Sequence, residues 1–448
     1  MFSKLEIMKI NKILFLLLFF PTIIFSQHTI KVTFSPANDF TWAILYKNGP
    51  TNTKYIAQSR VTDGNLVFKL DEKATKGIYK LVYAVPQNDY NFDIIYNGEE
   101  DIELTFNLKE GPVFQKSNEN IMLNSYLTEM ALLGNDIETK YLEGSTEDTA
   151  MSFIFEKQKK LQQSYEEKSE GTLVNHFIKA NQPYIPNELE TPGDYIKNVT
   201  ADYFTNIQFN DEVLQSSNFL IEKSLAYITG TVTEGISKEQ SLNNNLDKVE
   251  VQIRLLDLNF QKYFLEKLWQ NLVNDNLLST ANYLAERYLI PIANQLNDTV
   301  LALKLTQFKS LSIGNPAPDF ILDDGSGKKL SELDIAENYI LVFWSSGCSH
   351  CLKEIPQLYQ LSQELNSTKY KIIAVGLEED TFKWTNEVVK YPNFINVVKL
   401  KKWNNTIVSD YGLTITPTYF VLDKDKRFLV KPENFDDLKA YLKNKKAY

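Results

Sequence analysis

The feature that most constrains this chain is a short stretch at residues 339–356, which runs Tyr-Ile-Leu-Val-Phe-Trp-Ser-Ser-Gly-Cys-Ser-His-Cys-Leu-Lys-Glu-Ile-Pro. The apolar run from Tyr339 to Trp344 predicts a buried strand, which leads into a helical pattern that begins at Cys348. A thiol at a helix start lies among unpaired backbone N–H groups and the positive end of the helix dipole, so its pKa falls. Cys351 follows one turn later on the same face, close enough to form a disulfide with Cys348.

A zinc site is the first alternative for a Cys-x-x-Cys pair. Zinc needs four ligands, but Cys348 and Cys351 are the only cysteines of the chain, and His28 and His176 are isolated. A strand followed by Cys-x-x-Cys and a helix instead indicates redox chemistry. We therefore expect no metal and no cofactor.

Several motifs of the C-terminal third occur together in one known family. They are Gly-Asn-Pro-Ala-Pro-Asp-Phe at 314–320, Phe343-Trp344 at the strand end, Cys-Ser-His-Cys at 348–351, Pro356, and Thr416-Pro417-Thr418 before a strand. With this set, residues 311–448 resemble a thioredoxin-like domain of the TlpA/ResA type. The resemblance implies a thiol–disulfide oxidoreductase, and the alternation of strands and helices by itself predicts an α/β sandwich.

The two cysteines receive different roles. Cys348, at the exposed helix start, is the predicted attacking thiol, and Cys351 is the resolving thiol that completes the redox-active disulfide. His350 lies between them, where an imidazolium would favour the Cys348 thiolate; an exposed histidine without a role is the alternative. Glu354 shares the helical face of Cys351 and is either a solvated neighbour of Lys353 or, as the resemblance implies, a carboxylate that accepts the proton of Cys351.

The resemblance also implies a substrate-binding edge. In thioredoxin-like folds the proline at the position of Pro417 is cis and faces the cysteine pair, which exposes the backbone of Thr416 for pairing with an extended substrate strand. Trp344 is predicted to contact substrate beside them. One departure from the family is Gly347, where many relatives have a tryptophan.

The N-terminal segment predicts export. Residues 1–26 contain Lys4, Lys9 and Lys12 followed by an apolar run to Phe25, the pattern of a signal peptide cleaved near Ser26. The alternative is a membrane anchor, but the run is short for a spanning helix, which needs about 20 apolar residues. No cysteine lies at the processing site to carry a lipid, so we expect a soluble protein of the periplasm or cell envelope without a membrane anchor.

Between these two segments the sequence pattern changes from one typical of strands to one typical of helices. Residues 27–112 contain short β-branched and aromatic runs separated by turn signals, which predict a β sandwich or barrel, and they resemble less specifically an N-terminal β domain of unknown function found ahead of thioredoxin-like domains in some exported bacterial proteins. Residues 117–310 have helical periodicity and predict an all-helical middle domain. We therefore expect a multidomain protein with β, helical and thioredoxin-like (311–448) parts.

Charge and motif arguments limit the other functions. A net charge of -10 disfavours nucleic acid as a partner and leaves protein thiols and disulfides of the envelope, together with a redox partner, as the expected partners. A peroxiredoxin would need proline at 341 and threonine at 345, where this chain has Leu341 and Ser345. A non-enzymatic scaffold, in which residues 28–310 bind a partner and the thioredoxin-like domain is an appendage, stays open.

Overall fold

The structure is a computed structural model that describes residues 28–143, 148–233, 235–322 and 327–445. The predicted signal segment (1–26) and the predicted turn at 323–325 lie outside the described residues. By its internal contacts the chain divides into two compact units, residues 1–222 and 223–448. The division falls inside the helical region, and the domain boundaries taken from the sequence stay predictions.

The first unit begins with two antiparallel-rich sheets. Its strands are β1 (Thr29–Phe34), β2 (Trp42–Asn48), β3 (Thr53–Arg60), β4 (Asn65–Lys69), β5 (Gly77–Val82), β6 (Asn91–Tyr96), β7 (Ile102–Asn107) and β8 (Gly111–Lys116). The sheet orders are β4-β1-β7-β8 and β3-β2-β5-β6. Buried side chains that alternate along strands of both sheets share one apolar core, so the predicted β domain is a sandwich.

The short β-branched and aromatic runs of the sequence predict six of these strands, but not β3 and β8. β3 is largely exposed and polar, so it lacks the apolar alternation that marks a strand. β8 contains Pro112, which argues against a strand; it is tolerated because β8 lies at the edge of its sheet, where a missing N–H leaves no neighbour unpaired.

Helices follow the sandwich. In the first unit they are α1 (Asn118–Leu142), α2 (Asp148–Lys168), α3 (Val174–Ala180), α4 (Pro192–Asp202), α5 (Glu212–Gln215) and the start of α6 (Phe219–Gly230). In the second unit they continue with α7 (Lys238–Ile253), α8 (Leu258–Asn274), α9 (Leu278–Leu284), α10 (Ile290–Gln295) and α11 (Thr299–Ser310). The helical spacing of apolar residues over 249–274 predicts a helix there, but the structure interrupts it, because Asp257 caps the first N–H groups of α8 and so begins a new helix.

The C-terminal part of the second unit is a mixed sheet between helices. Its elements are β9 (Asn338–Trp344), α12 (Cys351–Glu364), β10 (Tyr370–Glu378), α13 (Phe382–Val388), β11 (Ile395–Leu400), α14 (Thr406–Asp410), β12 (Thr418–Asp423), β13 (Phe428–Val430) and α15 (Phe435–Asn444). The sheet order is β11-β10-β9-β12-β13, in which β9, β10 and β11 are parallel and β12 and β13 are antiparallel to their neighbours.

The two faces of this sheet have separate cores. Side chains of β9 alternate between them: Ile340, Val342 and Trp344 join the core that contains α12 and α15. Tyr339, Leu341 and Phe343 join the core on the opposite face, which contains Tyr411 and the buried leucines of the segment before β9. The predicted three-part fold class, with its C-terminal α/β sandwich, is therefore confirmed.

Candidate active site

The Cys-x-x-Cys segment lies where β9 ends. β9 is buried along almost its whole length, and after Trp344 the chain turns through residues 345–350 before α12 begins at Cys351. The sequence predicted a helix from Cys348, three residues too early. A turn explains the difference, because the backbone N–H of Cys348 donates to the carbonyl of Ser345 at 3.0 Å.

Cys348 nevertheless lies within reach of the helix start. The backbone N–H of Cys351 donates to Cys348 Sγ at 3.3 Å, so the sulfur accepts one of the N–H groups that a helix leaves unpaired. Burial of the sulfur opposes its ionisation, but hydrogen bonds from Cys351 and from the His350 backbone outweigh burial and lower the pKa of Cys348 below its ordinary value. A half-buried thiol of this kind is suited to attack a disulfide.

Cys351 has the opposite character. It is fully buried in the core beneath α12, and both thiols are free. Burial, and then the hydrogen bond to Cys348, raise the pKa of Cys351 to about 12. These opposite shifts make Cys348 the more acidic thiol of the pair, while the attacking and resolving roles of the two thiols stay predictions.

His350 occupies the N-cap position of α12 with its side chain exposed. Its carbonyl accepts the backbone N–H groups of Lys353 and Glu354, and its own N–H contributes to the hydrogen bonding of Cys348. The structure thus shows a backbone contribution from His350, whereas the predicted electrostatic role of its imidazole stays a prediction.

The Thr416–Pro417 peptide bond is cis, as predicted. It lies against the active-site loop, since Cys348 Sγ is 3.3 Å from the carbonyl oxygen of Thr416. Ile415, the residue before it, is 62% exposed, so the loop that leads into β12 is open to solvent next to the sulfur. A role of Thr416 and Pro417 in binding substrate stays a prediction.

Trp344, which the sequence predicts to contact substrate, is not exposed at the surface of the site. Its side chain is fully buried in the α12 core and meets Tyr391 edge to face at 6.3 Å between ring centroids. Because β9 alternates between the two sheet faces, Trp344 points under the helix. In this structure the residue therefore supports the site from within the core, and its predicted contact with substrate stays a prediction.

Glu354 is half-buried in the first turn of α12, where a carboxylate also favours the helix dipole. Its Oε2 accepts a hydrogen bond from the hydroxyl of Tyr419 at 2.8 Å. Because this carboxylate has a buried partner on β12, the alternative in which Glu354 is only a solvated neighbour of Lys353 is not favoured.

Two residues of the site were not predicted from the sequence. Glu378, at the end of β10, is 7% exposed and accepts the backbone N–H of Ser346 at 2.5 Å, which ties down the loop before Cys348. An acidic residue that ends a buried strand parallel to β9 was the available signal, since parallel strands end at the same sheet edge. Tyr419 was the other; nothing in the sequence distinguishes it from an ordinary core aromatic residue.

Neither a metal-binding cluster nor a membrane-spanning helix is present among the described residues. No group of three or more His, Cys, Asp or Glu side chains there is arranged to hold a metal ion. No helix in the described ranges is both long and apolar enough to cross a membrane.

The C-terminal part of the chain is similar in sequence to known proteins. Residues 313–429 match the AhpC/TSA family. A thiol-disulfide oxidoreductase ResA of Bacillus thuringiensis (strain Al Hakam) is 31% identical over 144 residues, which cover 30% of this chain and 79% of that protein. The ResA of Bacillus subtilis (strain 168) is 26% identical over 118 residues, or 26% of this chain and 65% of that protein.

Solved structures are similar to different shares of the chain. A domain of a possible thiol-disulfide isomerase from Cytophaga hutchinsonii is 27% identical and covers 30% of this chain and 94% of that chain, with a TM-score of 0.28. A thioredoxin-like protein from Bacteroides caccae is 20% identical and covers 58% of this chain and 97% of that chain, with a TM-score of 0.32.

A mixed sheet with a Cys-x-x-Cys helix start and a facing cis-proline defines the C-terminal part as a thioredoxin-like domain. Within that class, the chain belongs through this domain to the ResA family of thiol–disulfide oxidoreductases. Residues before 313 lie outside the AhpC/TSA match.

The structure also bears on the peroxiredoxin alternative. Leu341 is fully buried within β9, and the Ser345 hydroxyl lies 3.4 Å from Glu378 Oε2, to which it donates. A peroxide site needs hydrogen-bond donors that polarise the O–O bond beside the nucleophile. These two positions do not supply that arrangement.

Proposed function

We propose that this protein is an exported enzyme that reduces or exchanges disulfides in proteins of the cell envelope through the Cys348–Cys351 dithiol. The observation that carries the proposal is the asymmetry of the pair: one half-buried thiol with a lowered pKa, and one fully buried thiol whose pKa is about 12. This asymmetry suits two successive steps with different chemistry.

In the first step the Cys348 thiolate attacks one sulfur of a substrate disulfide. A bond forms between Cys348 Sγ and that sulfur, the substrate S–S bond breaks, and the other substrate sulfur leaves as a thiolate that takes a proton. An extended substrate segment would lie along the loop at Thr416, whose backbone is next to the attacking sulfur.

In the second step Cys351 must lose its proton before it can attack. Its sulfur then bonds to Cys348 Sγ, the mixed disulfide breaks, and the second substrate sulfur is released as a thiolate. Glu354, on the same helical face as Cys351, is the proposed proton acceptor. Two electrons pass to the substrate, and a dithiol partner would have to reduce the Cys348–Cys351 disulfide again.

Export rests on the sequence of residues 1–26, which we propose is a signal peptide removed near Ser26. Expression of the full chain, followed by fractionation and N-terminal sequencing, tests this. A mature protein beginning near Gln27 in the soluble envelope fraction is expected. An intact N-terminus in the membrane fraction would contradict the proposal.

Trapping of partners tests the function itself. The full chain carrying Cys351→Ser should accumulate covalent adducts with envelope proteins, because Cys348 still attacks but no neighbouring thiol of high effective concentration releases the product. The matched control is Cys348→Ser, which should form almost none.

The number of adducts adds information about substrates. A few defined adducts would indicate a selective enzyme, and many unrelated ones a general enzyme. If neither variant forms adducts while removal of residues 28–310 alone abolishes function, the protein is a scaffold and not a disulfide reductase.

A further inference from the structure

The hydroxyl of Tyr419 forms an unusual contact for a core tyrosine. The side chain is fully buried on β12, where Tyr419 pairs with Val342 of β9, and it belongs to the same apolar core as Cys351. A buried phenol needs a hydrogen-bond partner. The partner of Tyr419 is the carboxylate of Glu354, at 2.8 Å.

Tyr419 is coupled to both groups of the resolving step. Burial first, and then the hydrogen bond to Glu354 and the charges of Glu354 and Cys351, raise the pKa of Tyr419. The phenol therefore stays protonated near neutral pH and acts only as a donor. One carboxylate oxygen of Glu354 is held by this donor, which leaves the other oxygen to accept a proton.

We propose that Tyr419 is a positioning residue that holds the Glu354 carboxylate where it accepts the proton of Cys351. This inference rests on the proposed function, because it concerns the second step of that cycle. Tyr419 itself gains and loses no proton. The proton moves from Cys351 Sγ to Glu354, the Cys351 sulfur bonds to Cys348 Sγ, and the bond between Cys348 and the substrate sulfur breaks.

The hydrogen bond has a second effect, on the charge of the carboxylate. A donor to a carboxylate stabilises the ionised form, which is the form that works as a base. Removing the donor takes this stabilisation away from the ionised carboxylate. As the pH is lowered, the second step should then begin to slow at a higher pH than in the natural protein. The first step, which depends on Cys348, should not change.

Other ionisable groups lie in or next to the core that contains this pair and have to be considered in a pH profile. They are the thiols of Cys348 and Cys351, Lys353 beside Glu354 on α12, and the phenols of Tyr359 (α12), Tyr370 (β10), Tyr391 (after α13) and Tyr441 (α15) around the same core. Burial raises the pKa of Tyr370, Tyr391 and Tyr441 above the ordinary phenol value, far from the acid limb of the profile. Cys348 acts in the first step and is separated from the second step by the assay.

The assay uses dithiobis(nitrobenzoate) as the disulfide and the reduced mature protein in stopped flow. Attack by Cys348 releases one thionitrobenzoate, and resolution by Cys351 releases the second, so two phases report the two steps. The variants are Tyr419→Phe, Glu354→Gln and the double variant. Tyr411→Phe removes a buried phenol hydroxyl on the opposite face of the sheet and is the matched control.

For Tyr419→Phe we expect an unchanged first phase, a second phase about tenfold slower near pH 7, and an acid limb displaced upward. Tyr411→Phe should leave both phases and the limb in place. In the Glu354→Gln background, Tyr419→Phe should add nothing, because the group that it positions is already gone.

Several results would overturn the inference. One is a second phase of Tyr419→Phe with the pH profile of the natural protein, and another is equal slowing by Tyr411→Phe. If Tyr419→Phe does not fold, Glu354→Asp shortens the carboxylate and breaks the same hydrogen bond, and an unmoved acid limb there also overturns it. If the natural protein releases no thionitrobenzoate in either phase, the proposed function fails instead.

Discussion

The two faces of the C-terminal sheet use the same kind of residue for different purposes. On the face without the cysteines, buried phenols donate to backbone carbonyls: Tyr411 to Pro318 at 2.5 Å, and Tyr339 to Leu333 at 3.0 Å. On the α12 face, Tyr419 donates to the carboxylate of Glu354 beside the cysteine pair. One face therefore has its phenols tied to fixed backbone, and the other has a phenol tied to a group that can take up a proton.

The comparison teaches where chemistry is located in this fold. A backbone carbonyl does not titrate near neutral pH, so a hydrogen bond to it contributes to stability alone. A carboxylate changes charge, so a hydrogen bond to it also influences reactivity. On the face without the cysteines, removing a phenol hydroxyl should lower the free energy of unfolding. On the α12 face, removing the Tyr419 hydroxyl should also change the rate of a reaction step.

The largest expected effect is on the cysteines of the α12 face. Cys348→Ser should release no thionitrobenzoate above background, because the attacking sulfur is gone. Cys351→Ser should release one equivalent and stop at the mixed disulfide. Release of two equivalents by either variant would contradict the assignment of Cys348 as the attacking thiol and Cys351 as the resolving thiol.

Next in size is the carboxylate. Glu354→Gln keeps the shape but cannot accept a proton, so the second phase should slow by about a hundredfold while the first is unchanged. Glu364→Gln, at the exposed end of the same helix, is the control and should alter neither phase. Equal slowing of both phases would mean that Glu354 acts on the whole site and not on Cys351.

Thiol acidity should give a smaller but clear difference. With a pKa of about 12, Cys351 has only about one thiolate in 10⁵ at pH 7, although its thiolate is intrinsically the stronger nucleophile. We expect alkylation of Cys348, measured in Cys351→Ser, to be at least about 30-fold faster at pH 7 than that of Cys351 in Cys348→Ser. The Cys348 rate should reach half its maximum below the ordinary thiol pKa, since a lowered pKa ionises the group earlier as pH rises.

The smallest effect belongs to the opposite face. Tyr411→Phe leaves the Pro318 carbonyl without its buried donor and should lower the free energy of unfolding by about 1–3 kcal/mol, measured by urea denaturation. The ratio of the two reaction phases should stay constant. A changed ratio would show that this face also influences the chemistry and would end the distinction between the faces.

Much of this protein followed from local sequence. The strand at 339–344, the thiol pair and the preference for redox chemistry over zinc depend on residues that are neighbours in the chain, and the cis bond at Pro417 followed from the family resemblance. The helical periodicity of the middle region and the alternation in the β region likewise predicted the three-part fold class. Such features are visible because side-chain period and turn chemistry are local properties.

Tertiary structure decided the rest, because it depends on which distant residues meet. The sequence predicts that Trp344 contacts substrate, but the alternation of side chains along β9 places the Trp344 side chain under α12. Strand β8 exists despite Pro112 because it is an edge strand. Glu378 meets the loop before Cys348 only because β10 runs parallel to β9, and Tyr419 meets Glu354 across 65 residues of chain only because α12 packs on β12. The sequence alone determined that a nucleophilic thiol pair would be present; the packing of one helix on one sheet face determined which buried groups surround it.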